Sequence, residues 1–199
     1  KNKILRKAAN IASVSGLEEM SIGKLADATG LSKSGLFAHF NSKEKLQTEV
    51  IQLVGDMVTK DVLRPAFKKP RGIPRIQAIY ENWKKWIDGD SLPGGCIMIA
   101  SSTEFDDRPG VVRDEIVNLM KELLDSLARS SGIAIGVGHF KPDTDPMQFA
   151  FEFESILHGY HLFQRLLQDP DAVRRSDLAM ERLLSDYQVP EKTAGKATH

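Results

Sequence analysis

The chain has 199 residues, of which 41% are apolar and 27% are charged, and it contains no run of eighteen apolar residues. This profile predicts one large globular domain or two small domains that share a core, and it excludes a membrane-spanning helix, collagen and a coiled coil. The single cysteine, Cys96, cannot form an internal disulfide, and no basic-then-apolar leader opens the chain. A reducing, cytoplasmic compartment is therefore expected.

The net charge is zero, since 27 lysine and arginine residues balance 27 aspartate and glutamate residues. Taken alone, this neutrality argues against a nucleic-acid partner. The charges are unevenly distributed, however, because residues 1–47 carry a net charge of +4 and the remaining residues carry −4. A basic head on an acidic body favours a polyanion-binding head that is attached to a domain with a different role.

Apolar residues recur along the chain at intervals of three and four, whereas the alternation typical of strands nowhere persists for five residues. This pattern predicts an all-α protein of about nine helices. The expected helices cover residues 2–15, 21–29, 32–40, 41–63, 76–89, 96–105, 109–139, 147–167 and 172–187. Gly16 is expected to end the first helix, and Asn41 with Glu44 resembles the capping box that starts a helix. Prolines and glycine between residues 65 and 74 predict a break after the fourth helix.

The stretch from Ser21 to Phe40 has the spacing that a helix-turn-helix requires. Two helices that cross near a right angle leave room only for a small side chain at the crossing, and Ala26 provides one. Gly30 follows four residues later, where the turn favours a residue that can take a positive φ. The residues expected to pack this pair onto the first helix are Leu25, Leu31, Leu36 and Phe40.

Residues 30–46 read Gly-Leu-Ser-Lys-Ser-Gly-Leu-Phe-Ala-His-Phe-Asn-Ser-Lys-Glu-Lys-Leu, which resembles the signature of the tetracycline-repressor (TetR) family of bacterial regulators. Phe37 stands where the family usually has tyrosine, and Ser21 stands where threonine is common. Residues 93–96, 104–109 and 138–140 are similar to one branch of the family. The resemblance implies a three-helix DNA-binding head over residues 1–47 and a helical effector-binding and dimerisation bundle over residues 48–188. Residues 189–199 are polar and unpatterned, and they are expected to form a flexible tail.

In a helix-turn-helix of this kind, the third helix would enter the major groove with its first residues facing the base edges. Lys33 is the best candidate for a guanine contact, and Ser34 is a short, adaptable hydrogen-bonding group. The remaining residues of the predicted DNA-binding surface would contact the phosphates. The residues predicted to contact DNA are Ser21, Lys24, Ser32, Lys33, Ser34, Gly35, Phe37, His39 and Lys43. The alternative is that the lysines are ordinary solvated charges and that His39 only packs.

The stretch from residue 147 to residue 167 is apolar on almost every side. A surface helix needs only one apolar face, so this helix is expected to be buried on two sides, the second of them by a partner subunit. The resemblance likewise implies that the body forms a homodimer through its last two helices. The predicted interface residues are Ile156, Gly159, Tyr160, Phe163 and Leu167.

Many members of the family hold a small effector between the middle helices of the body. The residues that could line such an apolar cavity are Trp83, Trp86, Cys96, Met98, Phe105, Phe151 and His158. The alternative is that these side chains are simply core. Glu154, His158 and His161 share a helix face and could ligate zinc, but no fourth ligand is evident, and no metal or other cofactor is expected. Cys96 follows two glycines and could act as a sensor or nucleophile, although packing is the more common role of a lone cysteine.

The resemblance implies a transcriptional regulator rather than an enzyme. Its expected partners are a second copy of the chain, double-stranded operator DNA and a small apolar or amphipathic effector, with no membrane. The expected role is that of a repressor that binds a palindromic operator and is released by the effector. Two alternatives stay open: an architectural DNA-binding dimer without an effector, and a small cysteine-dependent enzyme with a nucleic-acid-binding head.

Overall fold

The computed structural model describes residues 1–89 and 91–190, and helices make up most of this part of the chain. The described residues contain no strand beyond an isolated antiparallel bridge between Phe140 and Gln188, so the all-α prediction is confirmed. The helices are α1 (Asn2–Ser15), α2 (Ile22–Thr29), α3 (Lys33–Phe40), α4 (Lys43–Val58), α5 (Arg64–Phe67), α6 (Ile73–Ile87), α7 (Ile97–Glu104), α8 (Val111–Gly136), α9 (Pro146–His161) and α10 (Ala172–Tyr187). None of these described helices is both long and apolar enough to span a bilayer. The predicted tail lies outside the described residues from residue 191 onward.

A turn of π-helix over Thr59–Leu63 joins α4 to α5, so residues 43–67 form one uninterrupted helical segment. The predicted end of this helix at residue 63 is therefore wrong by four residues. Pro65 lies in the first turn of α5, and a proline in the first turn does not break a helix, because its missing N–H would be unpaired there in any case. With this segment counted once, the described residues form nine helical segments, as predicted.

Serine side chains cap three of the helices in the first fifty residues. The Ser21 hydroxyl accepts the Lys24 amide at the start of α2, and the Ser32 hydroxyl accepts the Gly35 amide at 3.1 Å at the start of α3. The cap of α4 is Ser42, whose hydroxyl accepts the Lys45 amide, so the prediction of Asn41 is wrong by one residue. Asn41 instead closes α3 with a φ of 62°, a conformation that asparagine tolerates better than most residues.

The head and the body share α4. It packs against α1 and α3 of the head and also contacts α7 and α8 of the body. Leu46, Val50 and Val54 are completely buried along it. Beyond α4, α8 packs along α9, and α9 packs against α6 and α10. The predicted division after Gln47 falls inside α4, so no linker separates the two parts at that point.

Candidate nucleic-acid interface and body core

The turn between α2 and α3 has the conformation that the sequence predicts. Gly30 ends α2 with a φ of 70°, and its N–H donates to the Ala26 carbonyl at 2.9 Å. Residues with a β-carbon rarely adopt this left-handed conformation. Leu25, Leu36 and Phe40 are completely buried and hold the two helices on α1, as expected. Leu31 is exposed, so the prediction that it packs in the core is wrong: it lies in the turn itself, before the cap residue of α3.

The outer surface of α3 is fully available to a ligand. Lys33, Ser34, Gly35, Phe37 and His39 are all exposed, and the Phe37 ring is 56% accessible to solvent. Ser32 is also exposed, but its hydroxyl is engaged in capping the helix. An exposed surface with a lysine at the N-terminal end of a helix has the charge and shape that a major groove accepts.

Two of the predicted phosphate ligands are paired with acidic residues of the α1–α2 region. The Lys43 ammonium lies 2.8 Å from the Glu18 carboxylate, and the Lys24 ammonium pairs with Glu19. These side chains are partly or largely exposed, and ion pairs at such sites contribute only about 0–1 kcal/mol. Exchange of either carboxylate for a DNA phosphate is therefore energetically inexpensive. Ser21 is half-buried and contributes mainly as the cap of α2.

Five of the seven predicted effector residues are buried in the body. They are Trp83, Trp86, Cys96, Met98 and Phe105. Several buried polar atoms of the described residues have no hydrogen-bond partner, and three of them are Nε1 of Trp83, Nε1 of Trp86 and Oε2 of Glu154. A buried polar atom without a partner costs about 1–3 kcal/mol, so each would be stabilised by a bound polar group. The sequence indicates Glu154 only as a possible metal ligand, because burial of one carboxylate oxygen has no sequence signal.

Cys96 lies at the N-terminal end of α7 and is fully buried. Burial is the largest influence on its thiol and raises the pKa to about 11, and the Glu154 carboxylate also raises it. The thiolate is the reactive form of cysteine, so a thiol that stays protonated at neutral pH is a poor nucleophile and a poor redox sensor. These properties favour packing as the role of Cys96.

The prediction that Phe151 lines the interior of the body is wrong, since 63% of this residue is exposed. Phe149, Phe153 and Leu157 form the buried stripe of α9. Phe151 lies about 200° around the helix from Phe149 and therefore faces outward. His158 is only partly buried, and its Nδ1 lies 3.1 Å from the Glu154 carbonyl oxygen.

The histidines of α9 show no sign of a metal site. The Glu154 carboxylate lies 3.3 Å from Nδ1 of His158 and raises the pKa of this imidazole above its ordinary value. Burial instead lowers the pKa of His161. Within residues 1–89 and 91–190, no three histidine, cysteine, aspartate or glutamate side chains are arranged to share a metal ion.

Exposed apolar side chains are concentrated on α9, on α10 and on the π-helical turn over Leu162–Leu166 that extends α9. Of the fifteen large apolar side chains that are exposed in the described residues, eight lie between residues 147 and 178. They are Met147, Phe151, Leu162, Phe163, Leu166, Leu167, Val173 and Leu178. We call these eight residues the apolar face. Concentrations of exposed apolar residues often mark sites of protein–protein contact, so the apolar face is a candidate interface.

The predicted interface residues do not all lie on this surface. Phe163 and Leu167 are exposed, and Ile156 and Gly159 border a groove of about 180 Å³ between α9 and α10. A β-carbon on Gly159 would meet no atom of its own subunit within 4 Å. Tyr160 is only 2% exposed, and its hydroxyl donates to Asp88 at 2.7 Å. Tyr160 lines the same groove but continues the buried stripe of α9 three residues after Leu157, so most of its surface is covered within its own subunit.

Family comparisons cover both parts of the chain. Residues 4–50 match the sequence model of bacterial regulatory proteins of the tetR family. Residues 72–180 match the model of the tetracyclin repressor-like C-terminal domain. No curated protein sequence matches the chain.

Solved structures of TetR-family proteins share the complete fold. A TetR transcriptional regulator from Chloroflexus aurantiacus is 22% identical, with a TM-score of 0.81 over 92% of this chain and 91% of that chain. A TetR-family regulator from Cytophaga hutchinsonii is 22% identical, with a TM-score of 0.82 over 96% of this chain and 95% of that one. AibR, solved in complex with isovaleryl coenzyme A and operator DNA, is 22% identical, with a TM-score of 0.70 over 95% of this chain and 98% of AibR.

At this level of sequence identity the solved structures establish the fold alone, and the two family models establish the family to which the chain belongs. The model of the C-terminal domain covers more than half of the chain, and the tetR model covers the helix-turn-helix described above. The chain therefore belongs to the TetR family and is a DNA-binding transcriptional regulator.

Proposed function

We propose that this regulator is a homodimeric repressor that binds a palindromic operator and releases it when a small molecule occupies the body. The observation that carries the proposal is the fully exposed outer surface of α3, with Lys33 and Ser34 at its N-terminal end. A two-fold symmetric dimer presents two such surfaces and matches two half-sites of a palindrome. The apolar face supports the dimer.

In this proposal, α3 lies in the major groove, where Lys33 reaches a guanine and Ser34 reaches a neighbouring base. Phe37 and His39, farther along the same exposed surface, lie beside the backbone or a thymine methyl group. Lys24 and Lys43 exchange their carboxylate partners for phosphates. As in other DNA-binding proteins, the phosphate contacts position the protein on the duplex and the base contacts specify the sequence.

Selection from a library of random DNA duplexes tests this proposal. We expect the wild-type chain to enrich duplexes with two inverted half-sites, with an affinity that falls steeply as salt is raised. Lys33→Ala should change the preferred base at one position of each half-site, at a cost of about 1–3 kcal/mol per lost contact. The control is Lys85→Ala, which removes an exposed lysine from α6 in the body. An unchanged consensus for Lys33→Ala would remove this residue from base recognition.

The effector is proposed to bind among α6, α7 and α9. The Trp83 Nε1 donor and the Glu154 Oε2 acceptor, both buried and without partners, support this position. They would be satisfied by a ligand that carries one acceptor and one donor on an apolar frame. AibR has a related fold and was solved with isovaleryl coenzyme A, so a short acyl compound is a reasonable first ligand to examine.

The intrinsic fluorescence of the protein reports on this region, because both tryptophans of the chain lie on α6 and are buried. Isovaleryl coenzyme A is the first probe, followed by other small acyl and amphipathic compounds. A ligand of the body should change the tryptophan emission and weaken binding to the selected duplex at the same concentrations, because it must prefer the arrangement that does not bind DNA. A screen in which emission and duplex affinity never change together would favour the architectural alternative.

A further inference from the structure

Two segments of the body contact the end of α1 and the turn that follows it. The turn comprises residues 16–20 and leads directly into the cap of α2. One body segment is the loop before α7, and the other is the C-terminal end of α7 with the residues that follow it. The short helix α7 is therefore attached to the head at both of its ends.

The closest of these contacts is made by Glu104, the last residue of α7. Its Oε2 accepts the Leu17 N–H at 2.9 Å, and its Oε1 accepts the Glu18 N–H at 3.0 Å. One carboxylate thus binds two consecutive backbone amides, and hydrogen bonds to an ionised acceptor are stronger than neutral ones. A β-carbon on Gly16, which has a φ of 90°, would lie 2.8 Å from Oε1 of Glu104, so only glycine leaves room for this approach.

The same turn is held from the head by α4. The Gln47 side chain donates to the Leu17 carbonyl at 2.8 Å, and the Lys43 ammonium pairs with Glu18. Lys43 is the main reason that the pKa of the Glu18 carboxyl is lowered. Arg108, just beyond α7, lies 3.7 Å from the same carboxylate. The turn is therefore fixed between α4 on one side and Glu104 on the other.

The loop before α7 contacts α1 itself. The Gly94 N–H donates to the Ser13 hydroxyl at 3.0 Å, and the Arg6 guanidinium donates to the Ser91 carbonyl at 2.7 Å. The Arg6 contact is exposed, and the Ser13 contact is partly buried, so each is open to competition from water. Glu104 supplies the only carboxylate among these links between head and body that binds main-chain amides directly.

We propose that Glu104 is a positioning residue for operator binding: its carboxylate sets the angle between head and body, and thereby the separation of the two α3 helices in the dimer. The inference rests on the proposed function, because the separation of the two α3 helices matters only for a dimer that binds two half-sites. Half-sites lie one helical turn of DNA apart, so a small rotation of each head moves α3 out of register. Without Glu104, the second half-site is bound at a lower effective concentration, while each head by itself is unchanged.

The test compares Glu104→Gln with the wild type on four DNA probes. The glutamine keeps the shape of the side chain but presents an NH₂ group to one of the two amide donors, so one hydrogen bond is lost. The control is Glu122→Gln, which makes the same chemical change at an exposed position on α8. The probes are the duplex selected by the wild type, the same duplex with its half-sites moved one base pair closer or farther apart, and a single half-site.

For Glu104→Gln we expect affinity for the selected duplex to fall about tenfold or more, as a loss of effective concentration requires. Discrimination among the three spacings should largely disappear, while affinity for the single half-site at low salt and the dimeric state in sedimentation stay those of the wild type. Glu122→Gln should behave as the wild type throughout. If Glu104→Gln unfolds, Glu104→Asp takes its place, since the shorter carboxylate cannot reach both amides, and the same relaxation of spacing is expected.

Two results would overturn the inference. One is wild-type spacing discrimination in the folded Glu104 variant. The other is a parallel loss of half-site and full-site affinity, which would make Glu104 only a stabiliser of the head. If the wild type itself enriched no duplex with two half-sites, the proposed function would fail instead, so the two failures are distinguishable.

Discussion

Leu166→Glu should convert the protein to monomers and lower affinity for the selected duplex by about two to four orders of magnitude, because avidity between linked sites is lost. Leu166 is the most exposed large apolar residue of the described chain, at 73%. A carboxylate there is solvated in the monomer, so the fold of the subunit should be preserved. In a dimer that buries the apolar face, the same carboxylate would lose its hydration without gaining a charged or hydrogen-bonding partner. Sedimentation velocity and duplex titration measure the two effects.

The matched control for this change is Val137→Glu. Val137 is 44% exposed and directly follows α8. The change also replaces an exposed apolar residue by a carboxylate, but it lies outside the apolar face. This variant should remain dimeric and bind the duplex as the wild type does. If Leu166→Glu also stays dimeric with full affinity, the dimer does not form through the last two helices.

Ser34→Glu should abolish detectable DNA binding without destabilising the protein. Ser34 lies exposed in the first turn of α3. A carboxylate in the first turn of a helix interacts favourably with the helix dipole, by about 0.3–1 kcal/mol, so the melting temperature should hold or rise. In the major groove the same carboxylate faces base acceptors and a dense array of phosphates, and the interaction becomes repulsive. Thermal unfolding and duplex titration at low salt provide the two measurements.

Gln52→Glu serves as the control, since it adds the same charge at an exposed position of α4. We expect this variant to bind the selected duplex nearly as tightly as the wild type. Wild-type affinity for Ser34→Glu would show that the N-terminal end of α3 does not approach DNA. The assignment of Lys33 to base recognition would then fail with it.

Most of the helices could be predicted because their signals are local. The bounds of α1 follow from an apolar stripe that Gly16 ends, and the turn between α2 and α3 follows from Gly30. The helix over 172–187 was predicted from its apolar positions and from the Asp-Pro-Asp turn before it, and it is confirmed. Capping at Ser42 rather than Asn41 was missed, because neighbouring residues of similar propensity compete for one cap and the backbone conformation of the preceding helix end decides between them.

The roles of individual side chains on α9 could not be predicted. This helix is apolar nearly all the way round, so its sequence period does not say which stripe faces the subunit and which faces outward. The structure places Phe153 and Tyr160 inside and Phe151 outside. The candidate effector residues Trp83, Trp86 and Met98 are buried, and whether they contact an effector stays a prediction. The missing hydrogen-bond partner of the buried Glu154 oxygen depends on which residues surround it in space, so the sequence does not show it.

The sequence by itself determined the helix-turn-helix and the order of the helices, because periodicity and turn residues act over fewer than five positions. Only the tertiary structure decided that the Glu104 carboxylate reaches the amides of Leu17 and Glu18, which lie more than eighty positions away in the chain. Backbone amides carry no residue identity, so a carboxylate that binds them leaves no complementary residue type to recognise in the sequence. The orientation of the head relative to the body therefore depends on tertiary packing and is not encoded in a local sequence pattern.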